Sequence, residues 1–300
     1  MGASHTESLH GSCLCGAVRY AATGPARDMA YCHCRACAKE TGVGFGTWID
    51  VPDVEWKSGA SQRRVCADAA DGIVRSFCAT CAGRLPAERR DGTAVLLPAG
   101  GLDSHSGLRP ARHEFTADHL PWLPASAALP AFPASCSRSG EPPRTSRLEP
   151  TAAHAPKFPV RGSCLCGAVA FEITSPPFAM RVCHCSRCRK RSGSSHFVAL
   201  ACASSGLRFL AGEASIRRWR HPEASRYVVS FCAECGAPAP STIGASAYIN
   251  AGTLDTDPGV RTRAHIFFDS RAPWTGIEDE LPHFAAYPPR DFDWTASPAA

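Results

Sequence analysis

The sequence predicts a mainly β protein: two tandem domains, each of several short antiparallel strands with few short helices. Three observations lead there. The chain repeats itself, its apolar segments are short and bounded by Gly or Pro, and 14 of its 17 cysteines cluster into the same three closely spaced groups in each repeat.

The repeat is read first. Gly11-Ser12-Cys13-Leu14-Cys15-Gly16-Ala17-Val18 returns letter for letter as Gly162-Ser163-Cys164-Leu165-Cys166-Gly167-Ala168-Val169, an offset of 151. Cys32-His33-Cys34 with Cys37 returns at that offset as Cys183-His184-Cys185 with Cys188, and Phe77-Cys78 with Cys81 returns at an offset of 154 as Phe231-Cys232 with Cys235. Leu102-Asp103, His113, Pro121-Trp122 and Phe132 answer to Leu254-Asp255, His265, Pro273-Trp274 and Phe284, all offset by 152. The second copy therefore gains three residues before its last cysteine pair and loses two after it, small changes that belong in loops. From about Ala134 to Pro159 the chain is rich in Pro, Ser, Arg and Glu and reads as a flexible linker. The expected organisation is a first domain over 1–133, a linker over 134–157 and a second domain over 158–300.

Within the copies, Ala17–Ala21, Gly44–Val51, Gly72–Phe77, Ala94–Leu97 and Arg112–Phe115 read as strands, as do Ala168–Ile173, Phe197–Ala201, Tyr227–Phe231 and His265–Phe268. Helical signals are confined to a turn around Ala36–Thr41, its counterpart Arg187–Ser192, and a short piece at Ile277–Leu281.

Composition narrows the function classes. A hydrophobic share of 44% excludes wholesale disorder, and no apolar run approaches the roughly 18 residues of a membrane span. The net charge of +5 is scattered and carried almost wholly by arginine, so nothing demands nucleic acid and it is not expected as a partner. Met1–His10 lacks the apolar core of a signal peptide, which favours a cytoplasmic, reducing location. Met1–Thr6 also fits the loose myristoylation pattern, one short match that carries little weight.

An odd number of cysteines cannot pair completely, and clustered reduced thiols point to zinc. Each copy holds seven cysteines, as a C-x-C, a C-x-C-x-x-C and a C-x-x-C. A structural zinc takes four protein ligands, while a catalytic one commonly takes three and keeps an exchangeable position. Seven divides accordingly, into one closed and one open site per copy. Spacing favours keeping each triple motif together, which leaves Cys13, Cys15, Cys78 and Cys81 for one closed site and Cys164, Cys166, Cys232 and Cys235 for the other. The open sites are then Cys32, Cys34 and Cys37, and Cys183, Cys185 and Cys188. Alternatives are disulfides with a leftover thiol, or purely structural zinc in which His33, His184 or a distant residue supplies a fourth ligand. His33 sits between two ligands, where neighbouring side chains diverge, so a hydrogen bond next to the site suits it better than ligation. Cys66, Cys136 and Cys202 have no repeat partners and read as small apolar or linker residues.

The order G-S-C-L-C-G-A-V, C-H-C-x-x-C-x-K, F-C-x-x-C, then L-D, H and P-W resembles the glutathione-dependent formaldehyde-activating family, which also includes centromere protein V. The resemblance covers about Leu9 to Phe132 and Phe158 to Pro288. It implies a mainly β zinc domain in which C-x-C and C-x-x-C share a structural zinc and the triple motif holds the catalytic one, up to two Zn2+ per domain. It also implies the activity, a carbon–sulfur lyase that forms or cleaves a thiol–aldehyde adduct such as S-hydroxymethylglutathione, with a small glutathione-like thiol and an aldehyde as partners. The catalytic positions so implied are Cys32, Cys34, Cys37, Cys183, Cys185 and Cys188. A non-enzymatic zinc-binding module and a glutathione carrier are the rival readings.

Glutathione needs partners for its carboxylates, and Arg35 and Lys39, or Arg187, Arg189, Lys190 and Arg191, adjoin the triple motifs, although a basic run is more often a solvated face. His113 and His265 read as core or hydrogen-bonded structural residues, Trp122 and Trp274 as packing, and Asp103 and Asp255 as turn or cap residues. The first copy departs from the family pattern: Ala82-Gly83 follows Cys81 where Gly236 follows Cys235, which is expected to shift that turn. The family-like closing run Gly252-Thr253-Leu254-Asp255, His265-Ile266-Phe267 marks the second copy as the better catalyst.

Overall fold

A computed structural model describes residues 9–66, 71–123, 128–136, 144–146, 148, 151 and 153–294. The myristoylation match at Met1–Thr6 lies outside these residues, as does much of the segment expected as a linker. The described chain is mainly β, with two α-helices, α1 (Arg35–Thr41) and α2 (Ser186–Ser192).

Each copy begins with a small antiparallel sheet. In the first, Arg19–Thr23 pairs with His10–Ser12 on one side and Asp53–Ser58 on the other; in the second, Ala170–Ile173 pairs with Val160–Ser163 and Leu207–Ala211. Gly11 and Gly162 are required by close approach, because a Cβ there would meet the rings of Tyr20 and Phe171 at 2.3 Å. The central sheet of each copy is a hairpin flanked by a short parallel strand. Asp28–Cys32 runs antiparallel to Gly46–Val51 and parallel to His113–Glu114; Ala179–Cys183 runs antiparallel to Phe197–Ala203 and parallel to His265–Ile266.

The copies diverge after the last cysteine pair. In the first, Arg84–Arg89 joins Ile73–Cys78 to Val95–Pro98, so that the central sheet grows to nine strands. In the second, Ala237-Pro238-Ala239-Pro240 occupies that position, Pro cannot donate to a ladder, and the sheet breaks into six strands and a separate hairpin, Ile216–Arg220 with Val228–Cys232. Arg144–Ser146, inside the stretch expected as a linker, pairs antiparallel with Leu129–Ala131.

Sequence-expected strands are present with ends displaced by a few residues. Neither Asp28–Cys32 nor Asp53–Ser58 was among the expected strands; D-M-A-Y-C shows little alternation, while D-V-E-W-K-S does carry a short period-2 pattern through Val54 and Trp56. The helix expected at Ile277–Leu281 does not form. Asp279 Oδ1 instead accepts from the Leu281 backbone N–H at 3.0 Å, and Pro282 O accepts from His265 N at 2.9 Å, so local and cross-strand bonds replace helical ones.

One apolar core runs through both copies, from Val18, Tyr31 and Ile49 to Phe171, Val182 and Ile249. The copies meet by exchanging equivalent bonds. Gly252 N donates to Gly42 O and Gly100 N to Gly193 O, each at 3.0 Å. Gly42 and Gly193 end α1 and α2 with φ of +73° and +72°, and a Cβ on either would fall 2.6–2.8 Å from side chains of the other copy. Here left-handed backbone and close approach both demand glycine.

Candidate metal centres and their surroundings

Four groups of sulfurs come together. Cys13, Cys15, Cys78 and Cys81 form one and Cys164, Cys166, Cys232 and Cys235 a second, each with its sulfur atoms within 4.8 Å of one another. Neighbouring sulfurs stand 3.5 Å apart (Cys13–Cys15, Cys164–Cys166) and 3.8 Å apart (Cys15–Cys78, Cys166–Cys232). Four sulfurs set tetrahedrally around an ion at about 2.3 Å would lie about 3.8 Å apart, so the donor set fits a metal ion. Backbone amides aim at these sulfurs as well. Val18 N donates to Cys13 Sγ at 3.3 Å, Val169 N to Cys164 Sγ at 3.2 Å, and Gly83 N to Cys81 Sγ at 3.4 Å. All 17 cysteines are free thiols, so no disulfide competes.

The turn after Cys81 is not shifted, contrary to the expectation from Ala82. Ala82 takes a left-handed φ of +51° where Gly236 has +66°, and both donate to the same carbonyl, Ala82 N to Cys78 O at 2.8 Å and Gly236 N to Cys232 O at 2.9 Å. The four-cysteine geometry outweighs the steric cost of alanine there, about 1–2 kcal/mol.

Cys32, Cys34 and Cys37 make the third group, and Cys183, Cys185 and Cys188 the fourth. The first cysteine of each ends a strand, and the second caps a helix: Cys34 Sγ accepts from Cys37 N, and Cys185 Sγ from Cys188 N, both at 3.4 Å. Hydrogen bonds from Cys32 and Cys37 pull the Cys34 thiol down to about 4, and those from Cys183 and Cys188 pull Cys185 down to about 3. Among the described residues no fourth His, Cys, Asp or Glu joins either triad. Three converging sulfurs with the cap thiolate favoured can hold an ion and leave it a free position.

His33 and His184 turn away from the sulfurs. His33 Nε2 meets His113 Nδ1 at 3.0 Å, and His184 Nε2 meets His265 Nδ1 at 2.8 Å. Burial holds His33 well below the ordinary imidazole range and brings His184 down to about 2, so both are neutral. Phe115 and Phe267, two residues beyond His113 and His265, share an unusual positive φ of 57° and 53°.

Of the basic residues beside the triads, Arg187 is half-buried and the other five are engaged elsewhere. Lys39 Nζ reaches Ser163 O at 3.0 Å and Asp255 at 2.7 Å, while Lys190 Nζ reaches Ser12 Oγ at 2.7 Å, Gly101 O at 3.1 Å and the Asp103 carboxylate. Arg35 binds Asp255 at 2.8 Å, Arg191 donates to Gly236 O at 3.1 Å, and Arg189 Nε bonds the His184 carbonyl at 3.3 Å. Asp103 and Asp255 thus serve as acceptors for the other copy's lysine rather than as turn residues. Trp122 and Trp274 are buried, and Trp122 Nε1 donates to Ala251 O of the other copy at 3.3 Å.

Several neighbours of the sulfurs carried no sequence signal. Trp48 Nε1 donates to Cys37 Sγ at 3.3 Å, and the Tyr227 ring packs against Cys183 and Cys188 in the second copy. Cys66, of the first copy, packs against Cys164, Cys232 and Cys235 of the second. His196, its Nδ1 2.8 Å from Ser195 Oγ, sits against His184 and Phe45 with ring centroids 5.6 and 5.5 Å away. Only a residue-by-residue comparison of the copies, which pairs Trp48 with Ala199 and Phe45 with His196, marks these positions as different. No described helix is long and apolar enough to cross a membrane.

The glutathione-dependent formaldehyde-activating enzyme family matches the chain twice, over residues 8–118 and 159–270. A protein of Halomonas elongata, provisionally named a glutathione-dependent formaldehyde-activating enzyme, is 28% identical over 149 residues, which are 46% of this chain and 94% of that protein. A solved Rhodobacter sphaeroides protein is 27% identical over 32% of this chain and 89% of its own, with a TM-score of 0.28.

Proposed function

The chain belongs to the glutathione-dependent formaldehyde-activating family, and from that premise we propose that it is a zinc-dependent carbon–sulfur lyase, making or breaking a thiol–aldehyde adduct such as S-hydroxymethylglutathione. The reading also takes residues 1–133 and 158–300 as two catalytic-type units joined by 134–157. The carrying observation is the pair of three-sulfur groups that gather no fourth protein donor among the described residues. Cys13, Cys15, Cys78 and Cys81, with Cys164, Cys166, Cys232 and Cys235, would hold structural zinc; the two triads would hold the exchangeable ions.

A zinc ion held by such a triad would supply a place for a substrate thiolate and lower that thiol's pKa, and with three thiolate ligands it would serve delivery of sulfur more than activation of the carbonyl. The bond that forms joins the thiolate sulfur to the aldehyde carbon, the carbonyl π pair moves to oxygen, and the proton given up by the thiol ends on that oxygen. Nothing is oxidised or reduced, and the reverse path cleaves the adduct. The protein's own residues position rather than react. The amides of Cys37 and Cys188 hold the cap sulfurs, and the neutral His33–His113 and His184–His265 pairs stiffen the strands that carry them.

The test compares adduct formation with and without protein at equal free glutathione. Acceleration that disappears when Cys34 and Cys185 are both replaced by serine, with the eight remaining structural cysteines still zinc-loaded, supports the lyase. Binding of glutathione without acceleration would make the protein a carrier, and neither binding nor acceleration a zinc-binding module; either result sinks the proposal.

A further inference from the structure

Among the described residues, one more set of metal-ligating side chains converges besides the sulfurs. His265, Asp279 and His283 each bring a donor atom within 4.8 Å of the other two. We propose that these three bind a divalent transition-metal ion of the zinc type, at a site that the second copy has and the first lacks.

Two imidazoles and one carboxylate suit borderline ions of this class, and three protein donors leave positions for water. Each donor is already oriented. His265 is buried, and its Nδ1 lies 2.8 Å from His184 Nε2, which turns Nε2 toward the Asp279 oxygens at 3.0 and 3.2 Å. A ligating histidine characteristically spends its other ring nitrogen on such a bond. Asp279 is held by the Leu281 amide at 3.0 Å, and the His283 ring lies on Phe268 with centroids 3.9 Å apart and planes 11° from parallel. His283 is solvent-exposed, which gives an ion a way in.

The first copy supplies the contrast. His113 sits at the same place, with its Nδ1 against His33 Nε2 at 3.0 Å, and its strand is flanked by Ala131 just as that of His265 is flanked by His283. At the offset of 152 the positions of Asp279 and His283 are Ala127 and Ala131. The buried histidine pair is thus common to both copies, and the two outer donors are additions to one. An ion there would tie the His283–Phe284 strand, joined to the sheet by only two residue pairs, to the strand that backs Cys183.

The experiment titrates Co2+ into the full chain already loaded with zinc at its cysteines and reads visible spectra, with no substrate present. One further Co2+ per chain is expected, with weak visible bands and no sulfur-to-cobalt charge transfer. His283→Ala and Asp279→Asn should each weaken that binding by at least about tenfold, while His105→Ala leaves it unchanged. Absence of extra cobalt, appearance of sulfur charge transfer, or equal binding by all variants would overturn the proposal. His283 is exposed and Asp279→Asn keeps an acceptor for His265, so the variants keep the fold, and the readout does not depend on carbon–sulfur chemistry.

Discussion

Around Cys32, Cys34 and Cys37 the first copy places the Trp48 indole and, deeper, a buried Arg75 between Glu40 and Asp71, the latter 2.5 Å away. Around Cys183, Cys185 and Cys188 the second copy places Tyr227, with Ala199 where Trp48 stood and Arg191 where Glu40 stood. Behind the second triad, His265 continues outward to Asp279 and His283; the equivalent positions of the first copy hold Ala127 and Ala131. The sulfur spacings themselves agree, 3.5 and 3.8 Å in both four-cysteine groups. The comparison teaches that short cysteine spacings fix a metal-ready framework locally, so that everything touching it is free to diverge without loss of the fold.

The widest separation of the two copies is expected in turnover. Cys185→Ser should lower carbon–sulfur bond formation at least about a hundredfold, the scale of a misplaced reacting group, whereas Cys34→Ser should leave it nearly unchanged; a loss of about half from either substitution would show two equivalent catalysts. Next, Gly236→Ala should destabilise the protein by about 2–3 kcal/mol, because its Cβ would sit 2.4 Å from the Phe77 ring, although Ala82 is tolerated at the equivalent turn. Chemical denaturation measures it. The lysine exchange comes third. Lys39→Met and Lys190→Met should each cost about 2 kcal/mol and by similar amounts, since each lysine serves a serine and an aspartate of the opposite copy; a marked inequality would break the symmetry of the interface.

His196 gives a pH-dependent contrast with Phe45. Burial brings His196 down to about 3, with a further lowering from His265. The unfolded chain therefore takes up a proton below about pH 6.5 that the folded chain refuses, so this part of the stability is complete above that pH and declines as pH falls. His196→Phe, which makes the second copy like the first, should recover about 1.4 kcal/mol at pH 5.5 and nothing at pH 8, measured as the pH dependence of unfolding. The smallest effect is expected of Ala82→Gly, a gain of about 0.5–1 kcal/mol from relief of left-handed strain.

What the sequence revealed follows from the range of the interactions. Cysteines one or two residues apart can meet one ion whatever the rest of the chain does, so the four clusters were legible as letters. The Lys39–Asp255 and Lys190–Asp103 contacts join residues from opposite copies, and no local period encodes how two sheets will meet. Asp279 and His283 reach His265 because a segment without helix runs back beside a two-residue strand, where only the Asx bond to Leu281 marks the turn. Trp48 and Tyr227 read as ordinary β-strand aromatics, since an indole or phenol set against sulfur has the same sequence signature as one set against a core.

The reciprocal lysines carry one more consequence. Each copy completes the other with a charge that would otherwise lie beside apolar surface, so a half-chain would expose Lys39 or Lys190 without its aspartate and serine. Two separate subunits would have to find this arrangement by collision, whereas here the chain between the copies keeps both faces at a local concentration on the order of millimolar. Covalent linkage thereby keeps the two faces together whatever the protein concentration, and later sequence drift on either face is constrained by the other.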